Sequence, residues 1–185
     1  MGDSMSSMVL SGDTSGTVTV TVPAVAGTNT LTLPAVTGTI LTNKSVGTVL
    51  QVVSTNYAVA TSSTSSTFVS TGLSASITPL FSTSKILIIC STSGSNSAFQ
   101  QASSFTIFRG TVSGTNLGDA TYGMARLYNA SSQVDSSICL NYLDSPATTS
   151  ATTYTMGMRV GSSPYTVTAQ LENRTATITL MEIAG

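Results

Sequence analysis

The chain has 185 residues, enough to bury one sizeable core. Only 7% of them are charged and the net charge is −1, which excludes a phosphate-neutralising basic groove and the charge-rich kind of disorder. With 41% hydrophobic residues, a mean hydropathy of +0.31 and no apolar run of membrane-spanning length, the composition describes a polar, uncharged, folded protein.

Ser and Thr take the place of the missing charge and form roughly a third of the chain. Threonine suits a pleated surface because its branched Cβ packs well there. Residues 1–16 are small, polar and unpatterned, and predict a flexible or partner-ordered tail. The start, Met1-Gly2-Asp3-Ser4-Met5, has neither a basic region nor an apolar core, so no signal peptide is expected and synthesis in the cytoplasm is.

A self-similar block follows. Val22-Pro23-Ala24-Val25-Ala26-Gly27-Thr28 matches Leu33-Pro34-Ala35-Val36-Thr37-Gly38-Thr39, and each copy follows an alternating run, Thr17–Val22 and Thr30–Leu33. A short strand, a proline corner and a glycine turn, repeated, predict a short extended β stalk over residues 17–46. Two such units cannot cover their own apolar faces, so other chains are expected to complete them. The alternative is a pair of coincidentally similar hairpins. Around Thr42–Gly47 the pattern breaks, and residues 47–185 read as a second domain.

That domain carries strand signals at Thr48–Ser54, Phe68–Thr78, Lys85–Cys90, Ser104–Arg109, Tyr122–Tyr128, Val134–Leu143, Thr152–Val160, Tyr165–Leu171 and Thr175–Ile183. Ile138–Met156 is the clearest stretch. Ile138, Leu140 and Tyr142 alternate in one run and Tyr154, Met156, Met158 and Val160 in the next. Asp144-Ser145-Pro146 starts a turn between them, so a β-hairpin with a wide loop is predicted. The fold class is all-β: an antiparallel β-sandwich, jelly-roll-like, behind the short stalk.

Lys85–Cys90 (KILIIC) is apolar at every position after the lysine. A strand of a monomeric sandwich alternates because one face meets water, so this strand requires a second cover. Ile86, Ile88 and Cys90 are assigned to the interface of a homotrimer whose axis continues the stalk. Cys90 and Cys139 lack metal-ligand spacing and read as two buried thiols.

The chain has no His and no Trp, which excludes imidazole-dependent nucleophile systems and most zinc sites. No catalytic residue, metal or cofactor is assigned. Asp119 and Asp135 both flank loops, and paired carboxylates would permit glycoside cleavage, but no motif joins them. Asp144 reads as a turn residue and Glu182 as a solvent-facing position. Three Asn-x-Ser/Thr triplets, at Asn43, Asn129 and Asn173, read as loops, and the Thr-x-Thr runs as solvent-side strand residues. The predicted recognition surface is in the loops: Asn96, Phe99, Gln100 and Gln101 within Gly94–Ser103, with Asn129 and Gln133. Amides around an aromatic ring suit a host-surface glycan, and ordinary strand connections are the alternative.

Several stretches together resemble tail-fibre and receptor-binding tip proteins of bacteriophage virions. They include Leu33–Thr42, Gly47–Val53, Thr71–Pro79 with Ser84–Leu87, Phe108–Thr111, Tyr142–Tyr154 and Thr177–Ala184. The resemblance implies a non-enzymatic, trimeric structural protein on a virion. It would attach to other virion proteins through residues 1–46, touch the host surface with its loops, and neither bind nucleic acid nor insert in a membrane. A capsid decoration, cement or head-fibre protein is the alternative, and a glycan-degrading tail spike a further one.

Overall fold

A computed structural model of the protein describes residues 7–21, 25, 45–97, 100–128 and 133–185. The chain divides into two units, Met1–Ile40 and Leu41–Gly185. In the first, β1 (Ser7–Ser11) pairs antiparallel with β2 (Thr17–Thr21), from Ser7 opposite Thr21 to Ser11 opposite Thr17. The Gly12 amide donates to the Gly16 carbonyl at 3.0 Å and closes the turn. The sequence expectation for residues 1–16 contained no strand, because Ser7–Ser11 has no readable alternation. Its pairing with β2 supplies the order that its own pattern does not. Apart from Val25, both proline-corner repeats and the run Thr30–Leu33 lie outside the described residues.

The second unit is an antiparallel β-sandwich, as predicted. Its strands are β3 (Val49–Tyr57), β4 (Thr61–Ser63), β5 (Val69–Ile77), β6 (Lys85–Asn96), β7 (Ala102–Arg109), β8 (Thr115–Asn116), β9 (Ala125–Tyr128), β10 (Val134–Asp144), β11 (Thr152–Val160), β12 (Val167–Ala169) and β13 (Ala176–Ile183). The larger sheet is built on β6. One edge of β6 pairs with β10 along its whole length. The other pairs with β13 over residues 85–91 and with β12 over residues 94–96, and β3 and β4 lie outside those two. In the smaller sheet β11 lies between β5 and β7, and β8 and β9 share the far edge of β7. Among the described residues no helix is long and apolar enough to cross a membrane.

Alternation decides which side chains meet between the sheets. Leu73, Ile77, Phe105, Ile107, Tyr154, Met156 and Met158 come from the smaller sheet, and Ile86, Ile88, Cys90, Ile178 and Leu180 from the larger. Gly94 sits where the Phe105 ring crosses β6. A Cβ there would lie 2.9 Å from both Phe105 Cζ and Ile138 Cγ1, so the ring occupies the space a side chain would need.

Four expectations change. Ile86, Ile88 and Cys90 are fully buried in the core of their own protomer and therefore cannot form a face towards another copy. The outward residues of that strand are Leu87 and Ile89, each partly covered by neighbours on the same sheet. Ile138–Met156 is not a hairpin. Strand β10 pairs with β6 and β11 pairs with β5 and β7, so the loop 145–151 arches from one sheet to the other. Of the two cysteines only Cys90 is buried, and Cys139 is exposed on the outer face.

The fourth change concerns two carboxylates read as surface residues. Asp144, the last residue of β10, is buried and accepts a hydrogen bond from the Tyr154 hydroxyl at 2.8 Å, with Arg109 Nη1 3.6 Å away. Burial pushes the Tyr154 pKa up, and the Asp144 carboxylate pushes it further, so the hydroxyl remains a donor across the two sheets. Glu182 is fully buried. Its Oε1 accepts from the Leu80 amide at 2.7 Å and its Oε2 from Gln51 Nε2 at 2.6 Å, which ties the β5–β6 connection to β13 and β3. Burial alone would raise its pKa, but the Gln51 amide and the Leu80 and Phe81 backbone amides outweigh it and hold the carboxyl below its ordinary value.

Because Glu182 is more acidic in the folded than in the unfolded chain, its stabilisation is complete above the ordinary carboxylate range and is lost as pH falls through the folded value. Urea unfolding of Glu182→Ala at neutral pH should show a loss of about 2–4 kcal/mol, since three donors lose their acceptor. The difference between Glu182→Gln and the native chain should shrink on acidification below the ordinary value of 4.5.

Candidate functional site

The loop end predicted for recognition is only partly displayed. Asn96 is buried at the end of β6, and its Nδ2 donates to the Gln101 carbonyl at 3.0 Å. It therefore holds the β6–β7 connection closed rather than offering an amide to a ligand. Gln101 is half-buried, whereas Gln100 is exposed with a left-handed φ of 53°. Gln133 is exposed, and its Nε2 donates to Ser95 Oγ at 3.3 Å and Asp135 Oδ1 at 3.1 Å. Asn96, Gln101 and Gln133 thus gather at one end of β6 and β10, and Gln100 and Gln133 are the amides turned to solvent. Phe99 and Asn129 lie outside the described residues.

The carboxylates are engaged separately. Asp119 Oδ1 accepts from the Tyr122 amide at 2.6 Å and the Thr121 amide at 2.8 Å, and these two bonds hold its carboxyl below the usual range. Hydrogen bonds from the Ser95 hydroxyl and the Gln133 amide do the same for Asp135. Glu172 pairs with Arg174. Such a distribution supplies turn locks and surface pairs, and among the described residues it brings no acid and base to a common cleft.

The outer faces of the two sheets carry features that strand periodicity alone did not locate. On the larger sheet, Val52 opposes Met181, Met181 opposes Leu87, and Leu87 opposes Leu143. These four outward side chains form one row across β3, β13, β6 and β10, about 14 Å long at ordinary strand spacing. Val52 is 55% and Leu143 50% exposed, so the ends of the row are open. The next row is Ser54, Thr179, Ile89 and Asn141, with Ser54 Oγ and Thr179 Oγ1 3.1 Å apart. Beyond it lie Asn56, Thr177, Ser91 and Cys139. Lys85, opposite Ile183, is the only charge in these rows and the one bordering them. The face is a greasy bar beside uncharged hydroxyls and amides.

On the smaller sheet, Phe68, Phe108 and Arg159 border a pocket of about 340 Å³ together with Thr67, Val112, Asn116 and Ala120. The Phe68 and Phe108 rings meet edge to face at 5.7 Å, and the Arg159 guanidinium lies 5.7 Å from the centre of the Phe68 ring. Gly157 makes this arrangement possible, because a Cβ there would sit 2.8 Å from Phe108 Cε2. The sequence signal was present in the outward alternation of Gly157 with Arg159 and of Thr106 with Phe108, but it did not say which strands were neighbours.

No protein-family model matches the chain, and no curated protein matches its sequence. Solved structures similar to it include the VP2 subviral particle of infectious bursal disease virus, at 15% identity and a TM-score of 0.41, covering 73% of this chain and 37% of that one. T=1 particles derived from infectious bursal virus match at 13% identity and a TM-score of 0.42, covering 81% and 41%. The Gx strain of infectious bursal disease virus matches at 14% identity and a TM-score of 0.41, covering 81% and 43%. The chain spans about two fifths of the length of these chains. At such values the likeness carries no functional argument.

The two thiols should behave differently. Burial, and then the neighbouring Cys139, push the Cys90 pKa up to about 12, so it remains an unreactive thiol. A thiol reagent should modify only Cys139 in the native protein and both cysteines in denaturant. Rapid modification of both under native conditions would contradict the buried position of Cys90.

Proposed function

We propose that the protein is a non-enzymatic structural component of a virion that works as an assembled homotrimer. The outer face of the larger sheet carries this reading, because Val52, Met181, Leu87 and Leu143 form a continuous apolar row with a single charge beside it. Covering such side chains stabilises an assembly by up to about 1.5–3 kcal/mol each. In a chain with so few charges, little opposes the approach of a second uncharged face. The hairpin β1–β2 supports the same reading. Val9, Leu10, Val18 and Val20 are all substantially exposed, and an isolated two-stranded hairpin is marginal in water. Residues 1–46 are the segment through which the protein attaches to other virion proteins.

The resemblance of Tyr142–Tyr154 and Thr177–Ala184 to phage tail-fibre tips narrows the role to a short tail fibre or receptor-binding tip. Many copies then multiply weak loop contacts with a host-surface glycan. A capsid decoration, cement or head-fibre protein is the second reading. The apolar row across the sheet favours it, since a sheet face suits lateral packing on a shell better than contact at a tip.

Light scattering should give three times the 18.8 kDa protomer mass. Val52→Asp with Leu143→Asp should dissociate the assembly while leaving the circular dichroism of the sandwich unchanged, since both side chains are already half in water. A stable monomer at all concentrations would remove the trimer. Antibody labelling of purified particles then separates tail from capsid, and a protein absent from particles would remove the virion reading altogether.

A further inference from the structure

Arg159 projects from the outer face of β11 opposite Ser104, beside the Phe68 and Phe108 rings. Among the described residues no carboxylate lies within ion-pair distance of it, although Arg109 and Arg174 both have one. Its Nε–H is buried and finds no hydrogen-bond acceptor among the described residues. A buried donor without an acceptor is costly, and an uncompensated guanidinium on a pocket wall is an anion site awaiting its anion.

The rest of the pocket defines the body attached to that anion. Phe68, Phe108 and Val112 supply apolar walls. Asn116 is held rigid: its Oδ1 accepts from Thr106 Oγ1 at 2.6 Å and from the Gly118 amide at 3.0 Å, and its Nδ2 donates to the Asp119 carbonyl at 3.1 Å. One Nδ2 hydrogen is left for a ligand oxygen. Thr67 adds a hydroxyl at the wall. A volume of about 340 Å³ suits a single ring rather than an extended chain.

We infer that this pocket binds a sugar acid, with Arg159 taking the carboxylate, Phe68 and Phe108 flanking the apolar face of the ring, and Asn116 and Thr67 meeting its hydroxyls. A planar guanidinium matches a planar carboxylate through paired hydrogen bonds, which a lysine could not provide. The cation–π contact with Phe68 fixes the guanidinium before the ligand arrives, so little order is lost on binding. The site lies on the outer face of the smaller sheet, and it does not depend on where the protein sits in a particle. Its ligand has two sources with the same chemistry, a free uronic acid or one residue of an acidic polysaccharide.

The test is titration of the full chain with sodium glucuronate, followed by NMR at the Arg159 Nε–H and by calorimetry. Glucose, acetate and polygalacturonate serve as comparison ligands. Glucuronate should shift the Nε–H resonance and bind at least about tenfold more tightly than glucose or acetate. Arg159→Gln should reduce that affinity by about tenfold or more, and Val112→Glu, which adds a repelling charge at the rim without touching the arginine, should do the same. Binding of the monomer alone would assign a free ligand, and binding of polygalacturonate as well would assign a chain. No response to glucuronate or polygalacturonate, equal binding of glucose or acetate, or an unchanged affinity in both variants would overturn the inference. None of those results would bear on the assembly face of the other sheet.

Discussion

The constraint on which the sandwich depends is the burial of one side of β6. Its twelve residues pair with β10 along one edge and with β13 and β12 along the other, so the position of every strand in the larger sheet is referred to it. Ile86, Ile88 and Cys90 face the opposite sheet and meet a core with Phe105, Met156 and Leu180. A shift of one residue in that strand would put Leu87 and Ile89 inside in place of Ile86 and Ile88. It would also set Lys85, Ser91 and Ser93 against the core and take Gly94 from beneath the Phe105 ring. The register is therefore held strongly, and the outward row Val52–Met181–Leu87–Leu143 is aligned as a by-product of that inward requirement.

Polar ties close the structure where the apolar core thins. Glu182 occupies the inner face of β13 opposite Ile86 and takes its hydrogen bonds from β3 and the β5–β6 connection. Asp144 and Tyr154 join the two sheets beside the 145–151 arch, with Arg109 near enough to balance the charge. Both oxygens of Glu182 accept hydrogen bonds, and Asp144 has a hydroxyl donor and a nearby guanidinium, the condition under which a buried carboxylate is tolerable. They fix where the connections lie, and the apolar core supplies the adhesion.

Side-chain periodicity made the faces of the strands legible, and it left the partners of the strands open. Tyr154, Met156, Met158 and Val160 were read on one side of a strand and are all buried there. The same alternation made Ile138–Met156 look like a hairpin, because adjacent strands with a turn between them look alike whether they pair or arch between sheets. The second half of β6, Ser91–Asn96, carried no signal because its inward positions are Thr92, Gly94 and Asn96, small or polar residues chosen to fit under Phe105 and to bond the next connection. Glu182 and Asp144 were misplaced for a related reason. A carboxylate at a strand end looks solvated in sequence, and its donors, Leu80 and Tyr154, are defined only by tertiary proximity. The pocket at Arg159 was out of reach because Phe68, Asn116 and Arg159 come from three separate parts of the chain, and only the order of strands in the smaller sheet brings them together.

The near absence of charge from the outer face of the larger sheet has a consequence for the conditions under which it adheres. With Lys85 the one ion in the row bordering Leu87, and Asp135 four rows along β10 from Leu143, dissolved electrolyte has little to screen beside the apolar row. Adhesion through Leu87 and its neighbours would be indifferent to whether the medium is dilute or briny. Its sensitivity would be thermal instead: contacts driven by expelled water loosen in the cold and firm up on warming, so a particle held together this way would be at its most fragile near freezing.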